Sequence, residues 1–116
     1  MQHSPQALKD EPVLRTGAFK TDAMLDSARE ATEFLKALAH ESRLLILCLL
    51  MERERTVSEL EQILDLRQSA VSQQLARLRA EDLVEARCEG KNIHYSIARP
   101  EVAAVVGSLY QAFCKR

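Results

Sequence analysis

The sequence predicts a small, mainly α-helical domain that carries one β-hairpin, in the order four helices, hairpin, helix. Three observations predict it. Apolar residues recur at helical spacing from Thr21 onward, a Gly-Lys pair separates two alternating segments, and a proline leads a last apolar stripe. A length of 116 residues suits one domain, and a chain that is 47% hydrophobic can bury a core. The longest apolar run, Leu44 to Met51, is far short of the ~20 residues that a membrane span needs. No charged-then-apolar leader opens the chain, so the expectation is a cytoplasmic protein with no membrane partner.

Residues 1–20 contain Pro5, Pro12 and Gly17 without a sustained apolar period, which predicts a flexible N-terminal arm. Residues 21–116 make the domain. Met24, Ala28, Ala31, Leu35 and Leu38 space a first amphipathic helix, with Thr21 or Asp22 as its cap. After His40-Glu41-Ser42 the run RLLILCLLM is apolar on every side, so the second helix belongs at the centre of the fold. Glu52 to Arg55 reads as a polar break. Thr56-Val57-Ser58-Glu59 then has the spacing of a capping box, opening a short third helix with Leu60, Ile63 and Leu64 on its apolar face.

Asp65-Leu66-Arg67 connects to a fourth helix, Gln68 to about Glu81, whose apolar side is Val71, Leu75 and Leu78. Its other side holds Ser69, Gln73, Ala76 and Ala80, flanked by Ser72 and Arg77. A solvated helix face is ordinarily filled with Glu and Lys. Small hydroxyl and amide side chains instead suit close approach to base edges in a major groove. The hairpin follows, Leu83–Glu89 and Asn92–Ile97 about the turn Gly90-Lys91. Opposing Glu89 to Asn92 puts Val84, Ala86 and Cys88 on an apolar side with Ile93, Tyr95 and Ile97. Arg87, Asn92, His94 and Ser96 then share the other side. Pro100 starts the last helix, striped by Val102, Val105, Val106, Leu109 and Phe113.

Two short helices joined by a tight turn and followed by a basic hairpin describe a winged helix-turn-helix, ααααββα. Charge is distributed to match. The whole chain has a formal charge of −1, yet residues 67–99 hold six basic side chains against four acidic ones, and residues 1–66 are acidic. The surplus is small, so affinity for DNA must come from two reading heads together and from hydrogen bonds. The same residues also fit a plain helical domain whose fourth helix happens to be rich in Gln and Ser.

Phe34-Leu35-Lys36-Ala37-Leu38-Ala39-His40-Glu41-Ser42-Arg43-Leu44, Ser58-Glu59-Leu60 and QSAVSQQLARLRAEDLVEARCEGKNIHYSI resemble the ArsR/SmtB family of bacterial repressors, across residues 21–116. The resemblance implies a homodimer, built on the first and last helices, that binds double-stranded operator DNA at an inverted repeat and releases it to an inducer. It maps base and backbone contacts onto Gln68, Ser69, Ser72, Gln73 and Arg77, and wing contacts onto Arg87, Lys91 and Asn92. Two positions depart from the family pattern. Asp82 stands where many members have Gly, and Arg67 stands where a small capping residue is usual. Asp tolerates the left-handed backbone that Gly supplies there, and Arg67 suits a neighbouring phosphate.

An arsenic-type site needs Cys-x-Cys at the start of the third helix, where Thr56-Val57-Ser58 stands. A zinc-type site on the last helix needs Asp and His where Ala103 and Val105 stand. No metal ligand set and no cofactor are therefore expected. Of the three cysteines, Cys48 lies on the central helix and Cys114 on the last, with Ala103 and Gly107 beside it as a small-residue flank open to another helix. By themselves they fit two small core residues as well as a thiol pair.

That pair, with FLKALAH, LLILCLL and YQAFC, resembles the BigR/SqrR branch of the family. The branch implies that low-molecular-weight persulfides bridge Cys48 and Cys114 through added sulfur, and that the bridged form leaves DNA. Thiols held just beyond the ~7 Å Cα separation that a disulfide tolerates would favour the longer bridge. Cys114, near the chain's end, is the expected first attacker, and Cys88 is expected to be structural, packed on the apolar side of the hairpin. Metal-responsive, general peroxide-responsive and antirepressor functions remain alternatives. A thiol oxidoreductase does not fit a helical chain without Cys-x-x-Cys, and no enzyme activity is expected.

Overall fold

The computed structural model describes residues 20–114, so the arm expected over residues 1–20 lies, but for Lys20, outside the described residues. Eight elements follow: α1 (Thr21–Leu38), α2 (Glu41–Glu52), β1 (Arg55–Thr56), α3 (Val57–Leu64), α4 (Gln68–Ala80), β2 (Val84–Glu89), β3 (Asn92–Ile97) and α5 (Pro100–Phe113). This is the winged helix-turn-helix order. The described residues fall into two units, which divide between Thr32 and Glu33, within α1. The described part of the first unit is helical and exposes Met24 and Leu25.

In the second unit, the core gathers on α2. Ile46, Leu47 and Leu50 are buried with Ala37 and Leu38 from α1, Leu60 from α3, and Val71, Leu75 and Leu78 from α4. Leu83, Val84, Val102 and Val106 close the core. The all-round apolar pattern of α2 thus has its expected place at the centre, although Leu45 and Met51 emerge at 44% and 40% exposure. Phe34, at the end of α1, lies beneath the Arg99 guanidinium, whose carbon is 5.4 Å from the ring centre.

A third strand, β1, was not legible as a strand. Its two residues pair antiparallel with β3, Arg55 opposite Tyr95 and Thr56 opposite His94, so the sheet order is β1-β3-β2. Two residues are too few to alternate, and the surrounding charges read as a break. Arg55 is nevertheless buried, because its Nε donates to the Leu49 carbonyl near the end of α2 and its Nη2 pairs with Glu52. A cation there satisfies a carbonyl that the helix leaves open.

The capping box is present as the sequence spells it. Glu59 N–H donates to Thr56 Oγ1 at 3.2 Å, and Thr56 N–H donates to Glu59 Oε1 at 2.9 Å. Asp65 ends α3 in the left-handed region, φ 55°, and turns the chain into α4. Asp82 likewise takes φ 60°, as expected of the residue standing where the family has Gly. The hairpin register also follows the sequence, with Glu89 opposite Asn92 and Gly90 at φ 63° in the turn.

Two packing expectations change. Cys88 is exposed rather than packed, because the ribbon tip extends past the core that covers Val84 at its base. Phe113 leaves the buried stripe of α5 at 61% exposure. The small-residue flank of α5 is open at Gly107, where an added Cβ would meet nothing within 4 Å.

Truncating Leu47 to Ala should cost about 2–5 kcal/mol through lost burial and a cavity. Thr56→Ala, removing half of the capping box, should cost about 1 kcal/mol. Urea unfolding of both variants checks the ranking; equal losses would contradict it.

Candidate nucleic-acid interface and thiol site

On α4, burial of Val71, Leu75 and Leu78 leaves the opposite side in solvent. Gln68, Ser69, Ser72 and Gln73 are all exposed there, with Ala76 and Ala80. No carboxylate lies on this surface, so polar groups free to donate and accept face outward together. Arg67 precedes α4 exposed and makes no side-chain cap. Arg77 stands apart from the others. It lies half-buried on the border of the exposed side, one turn beyond Gln73.

The wing residues differ in readiness. Lys91 is exposed in the turn, and Asn92 is exposed at the start of β3. Arg87 is engaged: its Nη2 donates to Glu54 Oε1 at 2.6 Å, its Nε to Glu54 Oε2 at 3.3 Å, and its Nη1 to Glu89 at 3.4 Å. His94 Nε2 also lies 3.4 Å from Glu89. The hydrogen bond from Arg87 holds the Glu54 carboxyl below its ordinary range, and Glu54 raises Arg87 in return. Both side chains are solvated, so screening keeps the pair weak. Two N–H groups of Arg87 remain beyond the three it uses, so a phosphate would share the guanidinium with Glu54 or displace it. The pairing of Glu54 with Arg87 is not legible in the sequence, because nothing local signals a partner 33 residues away.

The thiols occupy a different region. Cys48 is half-buried on α2 and borders a cavity of about 490 Å³ between α2 and α5, with Met51, Glu52, Gly107 and Tyr110 also on its wall. Burial pushes the Cys48 thiol up, and Cys114 and Glu52 push it further in the same direction. Cys114 is therefore within electrostatic reach of Cys48. Cys114 itself is exposed at the end of α5, where its N–H donates to the Tyr110 carbonyl at 2.8 Å. The two cysteines that lie 66 residues apart in sequence thus influence each other electrostatically, whereas Cys88 lies on the wing. Among the described residues, no group of three His, Cys, Asp or Glu side chains is gathered to hold a metal ion.

Residues 40–86 match the family described as "Bacterial regulatory protein, arsR family". The transcriptional activator HlyU of Vibrio cholerae is 38% identical over 104 residues, covering 90% of this chain and 96% of HlyU. This chain belongs to the arsR family. The biofilm growth-associated repressor of Agrobacterium fabrum is 41% identical over 104 residues, covering 90% of this chain and 89% of that protein. The crystal structure of the transcriptional repressor BigR from Xylella fastidiosa superposes with a TM-score of 0.77 at 38% identity, covering 83% of this chain and 98% of that one. The arsR-family chain is accordingly a DNA-binding transcriptional regulator and not an enzyme.

The Glu54–Arg87 bond has a measurable signature. A carboxyl group with a lowered folded-state pKa favours folding above its unfolded pKa, and that contribution fades as pH falls through the folded pKa. In an NMR titration of carboxyl carbons, Glu54 should titrate below the ordinary glutamate range. In Arg87→Gln its midpoint should rise toward that range. An unchanged midpoint would mean that the pair does not persist in solution.

Proposed function

We propose that this chain is a homodimeric transcriptional repressor that senses reactive sulfur species through Cys48 and Cys114. The observation that carries the reading is the thiol at the cavity wall. Cys48 borders a space large enough for a small sulfur donor, and Cys114 lies within electrostatic reach. The cytoplasm, where disulfides are rare, keeps such thiols reduced and ready. Among the described residues no helix is long and apolar enough to cross a membrane.

The chemistry starts at Cys114, which is exposed and so meets the persulfide first. Its thiolate attacks the outer sulfur of a low-molecular-weight persulfide RSSH, forming a cysteine persulfide and releasing RSH. Burial raises the Cys48 pKa, which disfavours its thiolate and leaves the first attack to the exposed Cys114; Cys48 then closes the bridge as the second thiol. For a bridge with two added sulfurs, two cysteine thiols and three RSSH give one Cys–S–S–S–S–Cys, three RSH and one hydrogen sulfide. The persulfide is itself the oxidant, and no other is required.

On DNA, Gln68, Ser69, Ser72 and Gln73 read base edges of an inverted repeat, while Arg77, Arg87, Lys91 and Asn92 contact the backbone. Two heads must present α4 about one turn of DNA apart, ~34 Å. Exposed Leu35 on α1 and exposed Tyr110 and Phe113 on α5 supply apolar surface for the dimer. A sulfur bridge ties α2, which packs against α4, to α5, so forming it re-aims the heads and weakens both half-sites together. The relative named as an activator favours a second reading, in which the bound dimer displaces another DNA-bound protein. Transcription from a promoter carrying the binding site, measured with the protein alone, separates direct repression from such antirepression.

Cys48→Ser and Cys114→Ser should bind DNA like the unaltered chain when reduced, and should keep it after treatment with glutathione persulfide. Cys88→Ser should still release it. Mass spectrometry of the treated protein should show added sulfur between Cys48 and Cys114. Full release by either of the first two variants defeats the dithiol reading, and loss of two hydrogens without added sulfur replaces it with peroxide-type sensing.

A further inference from the structure

Arg77 holds the only buried side-chain nitrogen or oxygen without a hydrogen-bond partner among the described residues, its Nε. Leaving a charged donor unsatisfied is costly. A second guanidinium, that of Arg43, lies within electrostatic reach of it. Arg43, near the start of α2, donates from Nε to the Ala37 carbonyl at 2.6 Å, from Nη1 to Gln74 Oε1 at 3.0 Å and from Nη2 to the Lys36 carbonyl at 3.3 Å. Every one of these acceptors is neutral. Burial and the nearby charge of Arg77 both lower the Arg43 pKa, which places the two cations within electrostatic reach. Neither arginine forms an ion pair among the described residues, whereas Arg53 and Arg55 each find a carboxylate.

Two guanidinium groups within electrostatic reach of each other, both beside Gln74 on the same helix border and neither paired with a carboxylate, repel each other and attract an anion. Their position says which anion. Gln74 and Arg77 lie along the border of the exposed side of α4, Arg77 one turn after Gln73. A helix seated in a major groove about 12 Å wide has a phosphate strand running along each flank. Arg43 still has two N–H groups beyond the three it uses, and Arg77 has its whole fork.

We propose that Arg43 and Arg77 form a clamp for one backbone phosphodiester in each half-site, with Gln74 holding Arg43 in position. The clamp rests on the reading that α4 enters the major groove, and it adds a contact on α2 to that reading. A phosphate held by the two guanidinium groups offsets the repulsion between the cations, and the reading helix is fixed in register without any base being read. Because Arg43 also ties down the last carbonyls of α1, the phosphate contact extends from α4 to the α1–α2 junction.

The test uses the full chain and a duplex that it selects from a random-sequence pool, with binding followed by fluorescence anisotropy between about 50 and 200 mM salt. Arg77→Gln should flatten the dependence of log affinity on log salt by ~0.9 for each phosphate lost, about twice that for a dimer. Arg77→Lys should keep the slope and bind more weakly, since a point charge replaces the fork. A single neutral methylphosphonate walked along the duplex should find one position per half-site that weakens the unaltered chain and leaves Arg77→Gln unaffected. Arg43→Gln should weaken binding less in the Arg77→Gln background than alone, a coupling that a purely structural role of Arg43 would not produce. A normal salt slope in Arg77→Gln with sequence selection retained overturns the clamp and leaves the reading helix standing. Failure of the unaltered chain to select any duplex overturns both.

Discussion

Burial of α2 is the constraint on which the other elements depend. Ile46 and Leu47 are fully inaccessible and Leu50 nearly so, and α3, α4, α5 and β3 all pack against this helix. A helix without a polar face cannot lie at a surface, so the elements around it are arranged to cover it. Arg55 completes the arrangement. It stays beside the end of α2 by donating to the Leu49 carbonyl, and in doing so brings β1 alongside β3. The wing is thereby joined to the core through a charged side chain as well as through Val84, Tyr95 and Ile97.

The same helix connects the two chemistries of the chain. Its middle carries Cys48 toward α5, and its first turn carries Arg43 toward α4. In the proposed mechanism, a covalent tie at Cys48, in the middle of this close-packed helix, would be carried to its first turn, because packed interiors shift as units and do not deform continuously. That would give a physical route from thiol to reading helix that needs no unfolding of either.

Electrostatics is local throughout. A chain of nearly neutral formal charge concentrates its cations about α4 and the wing, but not all of them are free. Arg87 is occupied by Glu54, whereas Lys91 is exposed and Arg77 lacks a partner for Nε. If the wing meets DNA as proposed, Arg87 would share or exchange this solvated ion pair for a phosphate, which would make its contribution to affinity smaller than its charge implies. Arg43 and Arg77 present the opposite case, a repulsion that an anion relieves.

The sequence by itself determined the order of elements, the capping box at Thr56 and Glu59, the hairpin register about Gly90-Lys91 and the exposed polar side of α4. Each of these is governed by local chemistry: apolar spacing, side-chain reach to a neighbouring backbone group, and turn conformation. It also marked Asp82 correctly as a left-handed residue. Tertiary structure alone decided β1, the exposure of Cys88 and Phe113, the cavity beside Gly107, the pairing of Glu54 with Arg87 and the meeting of Arg43 with Arg77. Those features depend on residues far apart in the chain, or on where the core ends, and neither leaves a periodic trace. Cys48 and Cys114 fall between the two. Their positions on separate helices were legible, but only the packing of α5 against α2 brings the thiols within electrostatic reach of each other.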